Sequence, residues 1–253
     1  MIKSDLAREL TDVKTGKIDE NVSCCEVKVD RPLSEKIGKP EGMYVTVEST
    51  AAAENDRSVF PRLSRCIADA LLRLASSRKK TLTVGLGNRM LTADALGSLV
   101  LDKLIVENAK GGVVMRSIAP GVAGVTGIES YDVIRGVVDV IKPDLVIAVD
   151  SLCAAKVSRI GTSFQLSDAG ITPGSGVKNA RRPLNRDTLG VDVISIGVPM
   201  VVYASTISAE KGAPEEWEDD MVVTPKDVDI LVENCAEIIA EAINIFSGNC
   251  ALA

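Results

Sequence analysis

The segment DLVIAVD (residues 144–150) constrains the fold of this chain more than any other, because it is an almost uninterrupted apolar run. A strand on a half-exposed sheet alternates apolar and polar residues, whereas a continuous apolar run must be covered on both faces. Helices on both sides of a parallel sheet provide that cover. The run therefore predicts an α/β protein in which this segment is a strand buried on both faces.

Strand-like and helix-like segments alternate before this run. Strands are predicted at 81–86 (TLTVGL) and 113–119 (VVMRSIA), and each is followed by apolar residues at helical spacing. These residues are Leu96, Leu99, Val100 and Leu104 after the first strand, and Ile128, Tyr131, Ile134, Val138 and Ile141 after the second. The β-α-β-α-β order predicts parallel strands joined by right-handed crossovers.

The rest of the chain extends this unit. Further elements are predicted at 24–29 and 43–49 (strands), 57–77 (helix), 162–168 and 191–199 (strands), and 224–247 (C-terminal helix starting at Thr224-Pro225). We predict a three-layer α/β/α sandwich with a mostly parallel central sheet. We expect a single domain over 1–253, with an N-terminal elaboration (1–50) and a core sheet region (81–200).

Two aspartates fall at the ends of predicted strands. Asp94 follows the first core strand at the start of its helix, and Asp150 ends the third. Open α/β sheets form their sites beyond the carboxyl ends of the strands, so both side chains are expected at the same edge. Each has a structural alternative: Thr92 or Asp94 could cap the following helix, and Asp150 could cap the segment SLCAAKV.

The absence of histidine narrows the chemistry that this pair could perform. Ser-His-Asp triads, Cys-His dyads and HExxH zinc sites all need an imidazole. Two neighbouring carboxyls do not, because one of them retains a proton while the other is ionised. The ionised group can activate water and the protonated one can polarise the substrate. The pair Asp94 and Asp150 therefore indicates peptide-bond hydrolysis by an aspartic mechanism.

The loop before Asp94 resembles a nucleotide-binding loop but does not fit one. Gly85 and Gly87 are followed by Met90 where a dinucleotide fingerprint needs its third glycine. A carboxylate at the helix start would also compete with a phosphate. We interpret Gly85, Gly87, Asn88 and Thr92 as a supporting loop, in which the glycines allow a tight turn and Asn88 bonds to its backbone.

Other candidates carry less weight. Ser175, Lys178 and Arg181, in PGSGVKNARR, could contact an acidic substrate, although a solvated basic turn is the simpler interpretation. Cys153 lies near Asp150, but no histidine is present to activate it.

Composition excludes several classes of protein. The net charge of −6 argues against a broad basic face for nucleic acid. Six scattered cysteines without a C-x-x-C pair favour free thiols over zinc or disulfides. The start MIKSDLAREL has no apolar signal region, and no apolar run reaches membrane-spanning length. We therefore expect a soluble intracellular protein that needs no metal or cofactor and contacts neither nucleic acid nor membrane.

Several long segments resemble the germination protease (spore protease) family of endospore-forming bacteria. They include VGLGNRMLTADALGSLV, IAPGVAGVTGIESYDVIRGVVD, KPDLVIAVDSLCA, DAGITPGSGVKNARRPL, LGVDVISIGVPMVV and MVVTPKDVDILVENCAEIIA. The N-terminal SDLAREL and IGKPEGMYVTVE match the family as well, so the resemblance runs in order over nearly the whole chain.

The resemblance implies an atypical aspartic endopeptidase that degrades small acid-soluble spore proteins at germination, in the cytoplasm of the spore core. It also implies a homotetramer and the phosphorylase/hydrolase-like α/β/α fold of the hydrogenase-maturation endopeptidases. The catalytic aspartates of the family match Asp94 in LTADALG and Asp150 in AVDSL.

Two departures from the family pattern bear on regulation and assembly. Members are usually zymogens, yet only Met1, Ile2 and Lys3 precede SDLA, so we expect a mature-like form or a member without propeptide control. The chain is also short for the family, and the shortening is expected near Asn108–Gly112 and between Ser208 and Trp217.

Two other functions remain as alternatives. A metal-dependent maturation endopeptidase shares the G-x-G-N motif followed by an acid, but it recognises nickel through carboxylates and a histidine, which this chain lacks. A non-catalytic sporulation protein on the same fold would bind spore proteins without cleaving them.

Overall fold

A mixed sheet with helices on both faces forms the framework of the protein. The computed structural model describes residues 4–75, 79–106, 113–177, 179–210 and 221–248. Its strands are β1 (Gly16–Lys17), β2 (Ser23–Val29), β3 (Gly42–Glu48), β4 (Lys80–Gly85), β5 (Val114–Ile118), β6 (Leu145–Ala154), β7 (Ser163–Ser167), β8 (Asp192–Tyr203) and β9 (Val222–Val223). Its α-helices are α1 (Arg31–Ile37), α2 (Thr50–Ala53), α3 (Phe60–Leu74), α4 (Leu96–Asp102), α5 (Ala123–Thr126), α6 (Ser130–Ile141), α7 (Arg186–Leu189), α8 (Ala204–Glu210) and α9 (Val228–Ser247).

Parallel pairing is confined to one half of the sheet. The strand order is β1-β2-β3-β7-β8-β6-β4-β5, and β9 pairs with β8. The strands β8, β6, β4 and β5 pair in parallel, as predicted for the alternating segments. The other neighbours are antiparallel, and β3 joins the N-terminal strands to β7. The α/β fold class is confirmed, and the sheet as a whole is mixed because β1–β3 and β7 add to the parallel unit.

The central strand β6 is covered on both faces, as the run DLVIAVD predicts. Alternate residues point into different cores, with Leu145, Ile147 and Val149 on one side and Val146 and Ala148 on the other. The first core is closed by α3, α4 and α9, and the second by α6. The apolar residues of these helices recur at helical spacing, so each helix buries one face against the sheet.

Two predicted helices are shorter than expected. The helix predicted at 57–77 begins at Phe60, because the Asp56 carboxylate accepts a hydrogen bond from Ser58 N at 3.0 Å and holds a separate 3₁₀ turn. The C-terminal helix begins at Val228, not at 224. Thr224 does not cap it, since Thr224 Oγ1 donates to Met200 O at 2.8 Å and binds the chain to β8 instead.

Three remaining expectations concern thiols, membranes and shortened segments. The cysteines of the described ranges, Cys24, Cys25, Cys66, Cys153 and Cys235, are free. No helix within those ranges combines the length and hydropathy needed to cross a bilayer. The chain is expected to be shortened near Asn108–Gly112 and between Ser208 and Trp217; residues 108–112 of the first segment and 211–217 of the second lie outside the described residues.

Candidate active site

Asp150 lies inside a strand and not at its end. The strand β6 continues to Ala154, so the segment after Asp150 is extended and the expectation that Asp150 caps it is wrong. In the parallel ladder, Asp150 pairs with Gly197 of β8, and Gly197 in turn pairs with Gln165 of β7. A strand in the middle of a sheet has little freedom, and Asp150 is 6% exposed. The fold therefore holds this carboxyl in a fixed and nearly dry position.

Asp94 is placed by a loop, and it does not cap the following helix. It ends a 3₁₀ turn (Thr92–Asp94), and α4 has Ala95 at its N-cap without a side-chain hydrogen bond. The Asp94 carboxylate turns back toward the strand instead, where its Oδ2 accepts a hydrogen bond from Asn88 N at 2.7 Å. Thr92 is exposed and does not cap α4 either. Capping is thus removed as an explanation for this aspartate.

The glycines of the supporting loop have two separate roles. Gly87 has a φ of +93°, and a Cβ there would lie 2.1 Å from Asp94 O. Gly85 is buried at the end of β4, where an added Cβ would lie 2.4 Å from the carbonyl oxygen of Gly97 in α4. Only Gly87 therefore needs glycine for its backbone conformation. Gly85 and Gly97 allow the backbones of β4 and α4 to come into contact. Sequence analysis missed the role of Gly97.

Asn88 closes the turn that carries Asp94. Its Oδ1 accepts a hydrogen bond from Met90 N at 3.0 Å, and its carbonyl accepts one from Leu91 N at 2.9 Å. Both bonds are of the kind by which asparagine stabilises turns. With the bond from Asn88 N to Asp94, this residue fixes both ends of the loop.

A cavity of about 900 Å³ contains both aspartates. Asp94 and Asp150 line it together, as do Gly87 and Thr92 of the supporting loop. The cavity is large enough for several residues of an extended polypeptide and opens at the carboxyl ends of the parallel strands, the usual place for a site in an α/β sheet.

The two carboxyls differ in their electrostatic environment. Burial raises the pKa of Asp150 well above its ordinary value, and the negative charges of Asp94 and Asp5 raise it further. Burial also raises the pKa of Asp94, and a backbone N–H opposes the rise at each carboxyl, Asn88 N at Asp94 and Ser151 N at Asp150. A desolvated carboxyl beside like charges keeps its proton most readily. Asp150 is therefore the group that retains a proton and Asp94 the group that ionises first.

Asp5 is a third carboxylate in the cavity that sequence analysis missed. Its Oδ2 accepts a hydrogen bond from Cys153 N at 2.9 Å, and its Oδ1 accepts one from Ser175 Oγ at 3.1 Å. The Lys39 ammonium lies 3.6 Å from the same Oδ1. Asp5 comes from a segment far from the core strands in sequence, so no local pattern could have indicated it.

Two of the three predicted substrate-contact residues, Ser175 and Arg181, lie in the cavity wall, where each already has a partner within the protein. Ser175 donates to Asp5, and Arg181 forms an ion pair with Glu129 at 3.2 Å. Lys178 lies outside the described residues.

Cys153 also lines the cavity, but burial, together with the negative charges of Asp5 and Glu9, raises the pKa of its thiol to about 12. A thiol that stays protonated is a poor nucleophile, so the carboxyls are the better candidates.

The two carboxyls of the cavity are suited to general acid–base chemistry. Within the described ranges, no group of three or more histidine, cysteine, aspartate and glutamate side chains is arranged to hold a metal ion. A protonated carboxyl beside an ionised one can transfer protons to and from water and an amide, which is general acid–base chemistry.

Comparison with known proteins identifies a family. The sequence profile of the family described as Germination protease matches residues 3–212. The germination protease of Caldanaerobacter subterraneus subsp. tengcongensis is 35% identical, over 90% of this chain and 85% of the relative. That of Clostridium acetobutylicum is 35% identical, over 92% and 86%. That of Bacillus subtilis is 44% identical over 73% of this chain, but only 54% of the relative is covered.

One solved structure extends the comparison to three dimensions. It is the [NiFe] hydrogenase maturation protease HycI from Thermococcus kodakarensis KOD1, which is 21% identical to this chain. The superposition covers 71% of this chain and 99% of the other, with a TM-score of 0.40.

Proposed function

The chain belongs to the germination protease family and is an endopeptidase, and from this premise we propose that Asp94 and Asp150 together perform the hydrolysis. One observation carries the proposal: the two carboxyls line one cavity, and burial, Asp94 and Asp5 raise the pKa of Asp150. Two acids held in different environments can divide the roles of proton donor and proton acceptor between them.

The proposed reaction begins with Asp94 ionised and Asp150 protonated. Asp94 takes a proton from a water molecule as the water oxygen attacks the carbonyl carbon of the peptide bond. Asp150 gives its proton to the carbonyl oxygen. When the tetrahedral intermediate collapses, the C–N bond breaks, the leaving nitrogen takes the proton from Asp94, and a hydroxyl proton returns to Asp150. Both carboxyls end as they began, so the cycle needs no imidazole.

The deeper burial of Asp150 supports this division of roles. Each carboxyl accepts one backbone N–H, Asn88 N at Asp94 Oδ2 and Ser151 N at Asp150 Oδ1, so it is the more complete loss of solvent at Asp150 that favours its protonated form. The central strand keeps Asp150 fixed, so little reorganisation is needed when its proton moves.

We propose the substrates and the setting from the family. The substrates are small acid-soluble spore proteins, the reaction takes place in the spore core at germination, and the enzyme acts as a homotetramer without a cofactor. The chain acts as a single domain. Neither nucleic acid nor membrane is a partner.

The test is cleavage of a purified small acid-soluble spore protein by the wild type and by Asp94→Asn and Asp150→Asn variants. Each variant is expected to lose at least about 100-fold in kcat, because one proton-transfer group contributes about 10²–10⁴-fold. Chelation with EDTA is expected to leave the wild-type rate unchanged.

The matched control is Asp144→Asn. Asp144 lies immediately before β6 and accepts a hydrogen bond from Lys80 N at 2.9 Å, but it does not line the cavity. It is expected to keep wild-type activity. Near-normal cleavage by either of the other two variants would refute the two-carboxyl mechanism, and an inert wild type would refute the proposed substrate.

A further inference from the structure

Several exposed apolar side chains line the cavity or neighbour in sequence a residue that does. Thirteen large apolar side chains are exposed in the described part of the chain, and eight of them line the cavity or lie within two residues of one that does. These eight are Met90, Leu91, Val125, Ile128, Val177, Met221, Val222 and Ile230. Single exposed apolar residues need no explanation, whereas a concentration of them beside a cavity marks a binding surface.

Four of these side chains belong to two neighbouring loops and form what we call the apolar rim: Met90, Leu91, Val125 and Ile128. The first two follow β4 and the last two follow β5. The two strands are paired in parallel, so their following loops leave the same edge of the sheet side by side. The side chains are 82%, 58%, 66% and 53% exposed.

The backbone of the rim is held in place. Met90 and Leu91 both donate backbone hydrogen bonds to Asn88, at 3.0 and 2.9 Å. In the second loop, Thr126 Oγ1 is within 3.0 Å of Ile128 O and 3.2 Å of Ile128 N. A surface that is already ordered loses less conformational entropy when a ligand covers it.

The rim is continuous with the catalytic cavity. Leu91 lines the cavity together with Val122 and Ala123, which precede Val125 in the second loop. The turn that presents Met90 and Leu91 is also the turn that positions Asp94, since Asn88 bonds to all three. A polypeptide with a peptide bond at Asp94 therefore has its neighbouring residues close to the rim.

We propose that the apolar rim is a docking surface for apolar side chains of the polypeptide substrate, next to the peptide bond that is cleaved. This inference rests on the proposed function. The rim selects substrates by apolar contact, while the carboxyls act on the main chain, which is the same in every protein. Binding is driven by the transfer of exposed apolar surface out of water.

The experiment compares Met90→Ser/Leu91→Ser and Val125→Ser/Ile128→Ser with the wild type, using a small acid-soluble spore protein as substrate. Each double variant is expected to raise KM about tenfold or more, with little change in kcat, because partial burial of two apolar side chains is worth at least one power of ten in affinity. Leu72→Ser is the control: this side chain is 42% exposed on α3 and lines neither the cavity nor the groove that Ile128 shares with α6, so KM is expected to stay unchanged.

A second arm changes the substrate. Serine replaces the apolar residues that flank the cleaved bond, one at a time, and each substrate is assayed with the wild type and the rim variants. If the rim contacts the replaced substrate residue, the replacement raises KM more for the wild type than for the rim variants. The variants have already lost this contact, so they cannot lose it again. Sedimentation velocity of each variant shows whether assembly is preserved.

Three results would overturn the inference. The first is an unchanged KM in both double variants. The second is that the rim change and the substrate change have additive effects on the free energy derived from KM for every substrate replacement. The third is a change in assembly that accounts for the rise in KM. All three presuppose that the wild type cleaves the substrate. An inert wild type would instead contradict the proposed function.

Discussion

At the scale of single residues, the two aspartates differ because different kinds of backbone hold them. Asp150 projects from the middle of a buried strand, so it cannot move toward solvent when it ionises. Asp94 lies in a loop and is only half-buried, so its carboxyl is less desolvated than that of Asp150. The asymmetry that an acid–base pair requires therefore follows from the positions of the two residues in the fold.

This asymmetry predicts how stability depends on pH. Burial raises the pKa of Asp150 in the folded state, with Asp94 and Asp5 adding to the effect, so the folded state holds a proton that the unfolded chain releases. Stability is then lost as pH rises from the unfolded pKa of about 3.9 toward the folded pKa. Asp150→Asn removes this loss and is expected to raise the free energy of unfolding by about 1–2 kcal/mol at pH 7.

Urea unfolding at pH 3.5 and at pH 7 provides the measurement. The gain for Asp150→Asn should be small at pH 3.5, where the carboxyl is mostly protonated in both states, and larger at pH 7. The control Asp144→Asn removes an exposed carboxyl outside the cavity and should not reproduce the gain at pH 7. An equal gain at both pH values would mean that packing, not ionisation, is responsible.

At the scale of elements, the contact of α4 with β4 places the supporting loop. A Cβ on Gly97 would lie 2.4 Å from both Leu86 N and Leu86 O, so the helix packs directly on the backbone at the strand end. The loop from Leu86 to Asp94 joins these two elements and has little room to rearrange. Sequence analysis identified the loop but missed Gly97, because helical periodicity does not show that this glycine packs on the backbone of Leu86.

Replacement of this glycine tests the role of the contact. Gly97→Ala is expected to displace α4, lower the free energy of unfolding by about 1–3 kcal/mol and reduce kcat, because the added methyl meets backbone atoms. Gly136→Ala is the matched control in α6, where an added Cβ meets nothing within 4 Å. That change is expected to stabilise by about 0.5–1 kcal/mol and leave activity intact. Thermal melting and steady-state kinetics measure both, and a neutral Gly97→Ala would refute the role of the contact.

At the scale of the whole molecule, β8 joins the parallel half of the sheet to the antiparallel half. It pairs with β6 in parallel and with β7 in the opposite direction. Through β7, the N-terminal strands β2 and β3 become part of the same sheet. The segment containing Asp5 reaches the cavity over this half, where Gln165 of β7 donates to Asp5 O at 3.0 Å and accepts from Ala7 N at 2.7 Å.

This continuity makes the predicted single domain testable. Scanning calorimetry is expected to show one cooperative transition, and native-state hydrogen exchange is expected to give similar opening free energies for β3 and β6. Strands that belong to one sheet and contribute to one core, as β3 and β6 do, are expected to unfold together. Two resolved transitions, with β2 and β3 opening first, would instead mean that residues 1–50 form a separate unit.

The sequence by itself determined the α/β class and the parallel unit around DLVIAVD, and it predicted Asp94 and Asp150 as the catalytic pair. Burial on both faces, helical spacing and the absence of histidine are local or compositional properties, so they can be seen without coordinates. Only the tertiary structure decided that Asp150 lies within a strand, that Asp94 bonds back to Asn88 and not to α4, and that Asp5 shares their cavity. The position of Asp5 depends on contacts between residues distant in sequence, such as the hydrogen bond from Cys153 N to Asp5. The length of β6 depends on the ladder that the neighbouring strand β8 provides.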